Sequence, residues 1–310
     1  MFNYTDCLAK ASSNSWTTAD ASSSASFQWQ KQSGDICKIR FQITKEMSGP
    51  VFLYYKLTKF YQNNRLYLKS ISYKQLRGEA VDRSDLSDDC DPLSGPDNSS
   101  RVYYPCGLIG NSFFSDKYSP MKNLKTGREV EFIPKGITWS ADSNLFKPSS
   151  YRLDQIAPPP YWIKGFPELI DSNGNYKFVP PLWKDERFQV WMRAAAMPTF
   201  RKLYGKYEFD IEPGVYEIEI RSNYNVSDYN GTKSVVISTS SWIGGKNRFL
   251  GIAYLVIGGL CVVAGLLFLM KHMIFPRRMG DYRYLSWNQH QQNHRYPQLV
   301  SPLPPSAVHE

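Results

Sequence analysis

Hydrophobic and polar positions alternate in several short stretches of this chain and give way to one unbroken apolar run near its end. In Gly214-Val-Tyr-Glu-Ile-Glu-Ile-Arg221, Tyr216, Ile218 and Ile220 share one face, while Val215, Glu217, Glu219 and Arg221 share the other. That period of two is the pattern of a half-buried antiparallel strand. Strands are also predicted over Ile36–Ile43, Val51–Lys59 and Lys233–Ser241. Residues 9–34 are rich in Ser, Ala and Thr and read as a loop or an inserted surface segment. Residues 82–100 are acidic and turn-rich, and the prolines of residues 157–181 suggest a polyproline II segment docked on aromatics. From Arg187 to Met197, Phe188, Trp191, Met192 and Ala195 fall at helical spacing and Pro198 ends the run, with a strand as the alternative. Residues 285–310, rich in Gln, Asn, His and Pro, are expected to be disordered.

The apolar run, Phe249 to Met270, holds 22 residues without a charge. About 20 such residues cross a hydrocarbon core ~30 Å thick, so a membrane helix is predicted over 249–270. Within it Gly251, Gly258 and Gly265 recur every seven residues, with Tyr254, Cys261 and Phe268 offset by three. Small residues at that interval let a second helix approach closely, so this face is expected to meet a partner in the bilayer. Trp242, just before the run, suits an interfacial anchor. The fold class expected is mainly β: an antiparallel β-sandwich-like domain with short helices and long loops over 1–248, the span at 249–270, and a disordered tail over 271–310.

Composition sharpens this outline. The mean hydropathy of −0.44 marks the remainder as soluble in character, and its many aromatics suit strands. The net charge of +9 is dispersed, with +6 before the span and +3 after it, which argues against nucleic-acid binding and allows mild attraction to lipid headgroups. Cys7, Cys37, Cys90 and Cys106 precede the span without a CxxC pair, and Cys261 lies inside it. An even number favours two disulfides in an oxidising compartment. Three connectivities are open; the local pairs Cys7–Cys37 and Cys90–Cys106 are preferred, the second closing a loop worth ~3 kcal/mol in the chain-entropy model. Asn3, Asn98, Asn225 and Asn230 each open an N-x-S/T sequon before the span, Asn98 in the most turn-rich setting. Lys271, Arg277, Arg278 and Arg283 follow the span against Lys233, Lys246 and Arg248 before it, a slight bias to a cytoplasmic tail. Cysteines and sequons therefore place residues 1–248 in the lumen or outside the cell. Met1 to Trp16 contains no apolar core of a signal peptide, so translocation calls for something upstream.

Catalysis finds little footing. His272, His290, His294 and His309 all follow the span, which rules out His-dependent triads in the larger domain and removes its commonest metal ligand. Asp85, Asp88, Asp89 and Asp91 cluster as a solvated face would, and neither G-x-G-x-x-G after a strand nor a Walker loop occurs. No catalytic residue, metal or cofactor is expected.

Several segments taken together carry a resemblance. They are Asn3-Tyr-Thr-Asp-Cys7, Gly49-Pro-Val-Phe-Leu-Tyr-Tyr-Lys56, Phe60-Tyr-Gln-Asn-Asn64, Pro105-Cys-Gly-Leu-Ile109 and Ile137-Thr-Trp139. Val190-Trp-Met-Arg193, Pro198-Thr-Phe-Arg-Lys-Leu-Tyr204 and Ser241-Trp-Ile-Gly-Gly-Lys-Asn247 complete the set. In this order they resemble the Cdc-fifty/Lem-three family, the β-subunits of type IV P-type ATPases, which are phospholipid flippases. The resemblance implies a noncatalytic subunit in a heterodimer with the ATPase, with a glycosylated, disulfide-bonded ectodomain between two membrane helices. It implies roles in the folding, endoplasmic-reticulum exit and transport cycle of the ATPase. Residence in the endoplasmic reticulum, Golgi, endosome or plasma membrane would follow, with membrane lipids as neighbours. It also implies a first membrane helix upstream of Tyr4-Thr-Asp-Cys7, which these 310 residues do not include. The alternative expectation is a single-pass cell-surface binding glycoprotein.

Overall fold

The computed structural model describes residues 1–13, 15–19, 26–239 and 248–275. The chain divides into two compact units, Met1–Gly245 and Lys246–Glu310. The first holds strands β1 (Phe2–Asn3), β2 (Thr17–Thr18), β3 (Phe27–Gln32), β4 (Ile36–Ile43), β5 (Val51–Leu57), β6 (Val102–Tyr103) and β7 (Lys117–Tyr118). They continue with β8 (Met121–Asn123), β9 (Glu129–Val130), β10 (Ile156–Ala157), β11 (Phe200–Tyr207), β12 (Gly214–Arg221) and β13 (Lys233–Thr239). Its helices are short: α1 (Cys7–Lys10), α2 (Arg65–Lys69), α3 (Tyr73–Leu76), α4 (Arg83–Cys90), α5 (Gly107–Asn111), α6 (Ser140–Ser143), α7 (Trp162–Gly165) and α8 (Glu186–Met192). The second unit contains α9 (Arg248–Ile274).

One antiparallel sheet runs in the order β1-β13-β5-β11, and a second in the order β2-β3-β4-β12-β8-β9 with β7 also on β12. Period-two burial explains their pairing. Val51, Leu53, Tyr55 and Leu57 of β5 are buried, as are Cys37, Ile39, Phe41 and Ile43 of β4 and Tyr216, Ile218 and Ile220 of β12. Each such side chain, fully buried, stabilises by about 1.5–3 kcal/mol. The two apolar faces meet where Phe2 of the first sheet lies 5.4 Å from Phe27 and 4.3 Å from Phe41 of the second. The sandwich-like β fold expected from the alternation is present.

The same core continues into an aromatic part built by the short helices, joined to β5 where Tyr55 stacks on Trp191. The indole N–H of Trp162 donates to Gly110 O (2.9 Å) and that of Trp191 to Ile109 O (2.8 Å), so both large rings bury their polar atoms on α5. Phe113, Phe166 and Phe188 fill the space around them.

The structure corrects several expectations. Residues 27–32 are a strand and not part of a loop, because Phe27 and Trp29 alternate inward between outward glutamines, a pattern diluted by the surrounding Ser and Ala. The acidic run forms α4, which buries Leu86 and Cys90 and leaves Asp85, Asp88 and Asp89 exposed. The proline-rich region is interrupted by α7. β5 stops at Leu57, where Lys59 turns to φ 59°, and α8 stops at Met192. The predicted strand end at 240–241, Trp242 and the disordered tail from residue 276 lie outside the described residues.

Candidate functional site

Cys7, opening α1, is disulfide-bonded to Cys37 of β4, and Cys90, ending α4, to Cys106 before α5. One bond ties the chain's start to the sandwich; the other ties two helices of the aromatic core. Asn98, Asn225 and Asn230 are exposed, whereas Asn3 is half-buried in β1 and accepts through Oδ1 from the Thr5 N–H and hydroxyl. Asn98 and Asn230 adopt φ of 55° and 50°, a left-handed turn geometry that Asn tolerates.

The segments that carry the family resemblance are far apart in sequence and converge in space. Phe60 N–H donates to Pro198 O (3.0 Å), and Gln62 Oε1 accepts from Ala195 N–H (2.9 Å). The Glu186 carboxylate accepts from the N–H groups of Gly136, Ile137 and Thr138 at 2.7–3.0 Å. The Arg193 guanidinium lies 4.8 Å from the Trp139 ring. α8 is the hub of this convergence: Glu186 holds residues 136–138, and the Trp191 ring meets Ile109 O, Phe60 and Phe200.

At the seam between the sheets sits a buried polar network that the sequence did not announce. Lys233, first residue of β13, places Nζ 2.8 Å from Asp116 Oδ2, with the two side chains 3% and 0% exposed. The ammonium's other donors reach Ser222 Oγ (2.8 Å) and Tyr224 O (2.6 Å), so all three protons are used. Asp116 also accepts from the Tyr4 hydroxyl (2.7 Å) and the Tyr224 N–H (2.6 Å). Burial first, then the Asp116 charge, pushes the Tyr4 hydroxyl well above its usual range and keeps it a donor. Burial also pulls the Lys233 ammonium below its ordinary value, against the attraction of Asp116. A charge at an inward register, Lys233 with Val235 and Ile237 after it, was the available signal.

Lys202 gives the same signal on β11, between inward Phe200 and Tyr204. Its ammonium donates to Trp191 O (2.7 Å), Val190 O (3.2 Å) and Arg193 O, closing the C-terminus of α8. Burial, then the Arg193 guanidinium, lowers its pKa to about 7. Between that value and the ~10.4 of an unfolded lysine, the unfolded chain binds more protons, so stability rises with pH across this window. Lys202→Met should flatten that rise while lowering stability throughout, because three carbonyls lose their donor. Thermal midpoints of both proteins from pH 6 to 9 check this; parallel slopes would refute it.

α9 runs a little beyond the predicted span at both ends, and its segment Phe249–Ile274 is long and apolar enough to cross a membrane. On a straight helix a seven-residue step drifts by only about 20°, so Gly251, Gly258 and Gly265 form one stripe. Tyr254 and Cys261 flank it, both exposed. A Cβ built at any of the three glycines meets nothing within 4 Å. Among the described residues no group of three His, Cys, Asp or Glu side chains could hold a metal ion.

Comparison with known proteins adds the context. The model of the LEM3 (ligand-effect modulator 3)/CDC50 family matches residues 1–278. The phospholipid-transporting ATPase accessory subunit CDC50 of Chaetomium thermophilum is 36% identical over 323 residues, covering 93% of this chain and 78% of the relative. The phospholipid-transporting ATPase accessory subunit CRF1 of Saccharomyces cerevisiae is 38% identical over 254 residues, covering 81% and 63%. ALA-interacting subunit 3 of Arabidopsis thaliana is 40% identical over 257 residues, covering 82% and 68%. The chain thus spans 63–78% of the length of these three relatives.

Proposed function

The chain belongs to the LEM3/CDC50 family, and from that premise we propose that it is the noncatalytic accessory subunit of a phospholipid-translocating type IV P-type ATPase. The observation that carries this reading is the continuous match over residues 1–278, which takes in the β domain and α9 together. Relatives that share this extent are named accessory subunits of phospholipid-transporting ATPases.

The β domain lies on the lumenal or extracellular side in this reading. Two disulfides and four sequons support that side, since both disulfides and N-glycans belong to an oxidising, secretory environment. Folding of the ATPase, its exit from the endoplasmic reticulum and its transport cycle depend on the complex. The subunit then resides with its partner in the Golgi, endosomes or plasma membrane. The stripe of Gly251, Tyr254, Gly258, Cys261 and Gly265 faces the ATPase within the bilayer. Lipid selection belongs to the ATPase.

Affinity purification of the full chain from membranes in mild detergent tests the assignment. A large P-type ATPase should co-purify in near-equal amount. Repeated recovery without one would reject it and leave a single-pass binding glycoprotein.

A further inference from the structure

A hollow of about 330 Å³ opens in the β domain between α7, the start of α8 and residues 113–117. That volume is enough for a small ligand, since binding pockets run from about 300 to 1,000 Å³. Phe113, Trp162, Phe166 and Leu182 give it a buried apolar wall, and Phe178, which also lines it, is 49% exposed. Its charged lining is Asp116, Lys117, Glu168, Asp185 and Arg187. Three of these are spent within the protein: Asp116 on Lys233, Tyr4 and Tyr224, and Lys117 and Glu168 on each other. The other two keep open ends. Asp185 Oδ1 accepts from the N–H groups of Arg187 (3.0 Å) and Phe188 (3.2 Å), while Oδ2 has no donor among the described residues. Arg187 donates through Nε to Tyr204 O (2.9 Å) and lies 3.7 Å from the Tyr204 ring, and its terminal nitrogens have no acceptor among the described residues. Burial pushes the Asp185 carboxyl above its ordinary value, the mark of a charge that water reaches poorly.

A sequon starts beside this wall. β12 pairs with β7 as far as Arg221–Lys117, and the chain then runs on along residues that line the hollow. Asn223 Nδ2 donates to Ser115 O (3.3 Å) and Gly165 O (3.4 Å), and the Tyr224 N–H to Asp116 Oδ1 (2.6 Å). Asn225, which opens the sequon Asn225-Val-Ser227, is exposed and follows Asn223 by two residues, at most ~7 Å of chain. A glycan on Asn225 therefore begins within a few sugars' reach of the hollow.

We propose that the hollow receives one sugar residue of an N-glycan carried by Asn225. The open ends are one acceptor and one donor of opposite charge. A cation would meet the guanidinium, an anion would meet the carboxylate, and an apolar side chain would leave both without a partner. Hydroxyl groups donate and accept at once, so a sugar gives a proton to Asp185 Oδ2 and takes one from Arg187. Its C–H face then covers Phe178 and the apolar wall and removes them from water. The inference rests on the lumenal or extracellular side proposed for the β domain.

The test uses the full chain, purified in mild detergent from membranes of cells that N-glycosylate, with Cys261→Ala so that one introduced thiol is the only free one. That thiol is placed by Pro134→Cys at the hollow or, as control, by Leu66→Cys on α2, which is 72% exposed. Maleimide should label position 134 several-fold faster once the N-glycans are removed enzymatically, and equally fast in Ser227→Ala, which deletes the Asn225 sequon alone. Position 66 should keep one rate throughout. Asn230→Asp deletes the neighbouring sequon and should leave the protection at 134 intact. With the glycan in place, Asp185→Asn keeps the helix cap but replaces the open acceptor by a donor, and should bring fast labelling. Phe178→Ala, at an exposed ring, should do the same without touching the cap. Protection that survives both changes would overturn the inference, because a glycan that only overhangs the hollow does not depend on them. Equal rates with and without the glycan would also overturn it, as would Asn225 found unmodified by mass spectrometry. If all four sequons are unmodified, the lumenal reading falls as well. Protection of the deglycosylated chain by glycine or phosphocholine, and not by N-acetylglucosamine or mannose, would overturn it in favour of a zwitterion site.

Discussion

Replacing Asp116 with Ala is expected to destabilise the β domain by about 3–5 kcal/mol, because it leaves the Lys233 ammonium in the core without a counter-charge. The loss does not stop at the pair. The Tyr4 hydroxyl and the Tyr224 N–H both donate to this carboxylate; the amide would lose its acceptor, and the hydroxyl would keep only the Tyr118 hydroxyl, 2.8 Å away. Native domains are stable by only ~5–15 kcal/mol, so the variant should melt far below the parent. The consequence is local as well as global. Lys233 opens β13, Tyr4 follows β1, and β1 pairs with β13 through Phe2–Val235 and Asn3–Ser234. Loosening the network therefore frays the strand pair from which the chain proceeds toward its apolar helix. Replacing both charges by apolar residues, Asp116→Leu with Lys233→Met, should restore a large part of the loss, since the desolvation penalty disappears with the charges. Thermal unfolding of the full chain in detergent reads both variants. A double variant as unstable as Asp116→Ala alone would mean that the lost shape, and not the stranded charge, sets the penalty.

That network also marks where sequence reading stops. Alternation alone located β4 to the residue and both faces of β12, because a strand buried on one face writes its burial into every second position. The apolar helix was equally plain, since no other described stretch is long and uncharged enough. β3 went unread because its two aromatic positions, Phe27 and Trp29, are too few to stand out from a Ser- and Ala-rich surround. Asp116 and Lys233 are 117 residues apart, and no local rule pairs them. What the sequence does record is the anomaly: lysine on the inward register of β11 and of β13, at Lys202 and Lys233. Lysine is almost never fully buried without partners, so such a position points to acceptors contributed from elsewhere. The convergence on α8 is of the same kind. Glu186, Trp191 and Arg193 touch residues 48 to 82 positions away, and only the folded chain supplies that list.

The proposed partner face on α9 leads to the second large effect. Gly258→Leu combined with Gly265→Leu should reduce recovery of the ATPase with this subunit by tenfold or more, equivalent to about 1.4 kcal/mol or more of lost association. Helices in lipid gain nothing from apolar contact as such, because the tails are as apolar as leucine; they associate through close backbone approach and van der Waals fit. Leucine at two successive steps of the stripe holds a partner helix away along more than one turn, and the lost packing is not replaced by a hydrophobic gain. A Cβ at either position meets nothing within 4 Å among the described residues, so neither glycine is needed for packing there. Disulfide formation and thermal melting of the β domain should stay at parental values, which separates a docking defect from a folding defect. Gly259→Leu is the matched control: it is also unobstructed, but it lies about 100° from the centre of the stripe at about 100° per residue. Loss of the ATPase with Gly259→Leu and retention with the paired change would move the interface to the other side of the helix. Retention with all three would assign the association to the β domain alone.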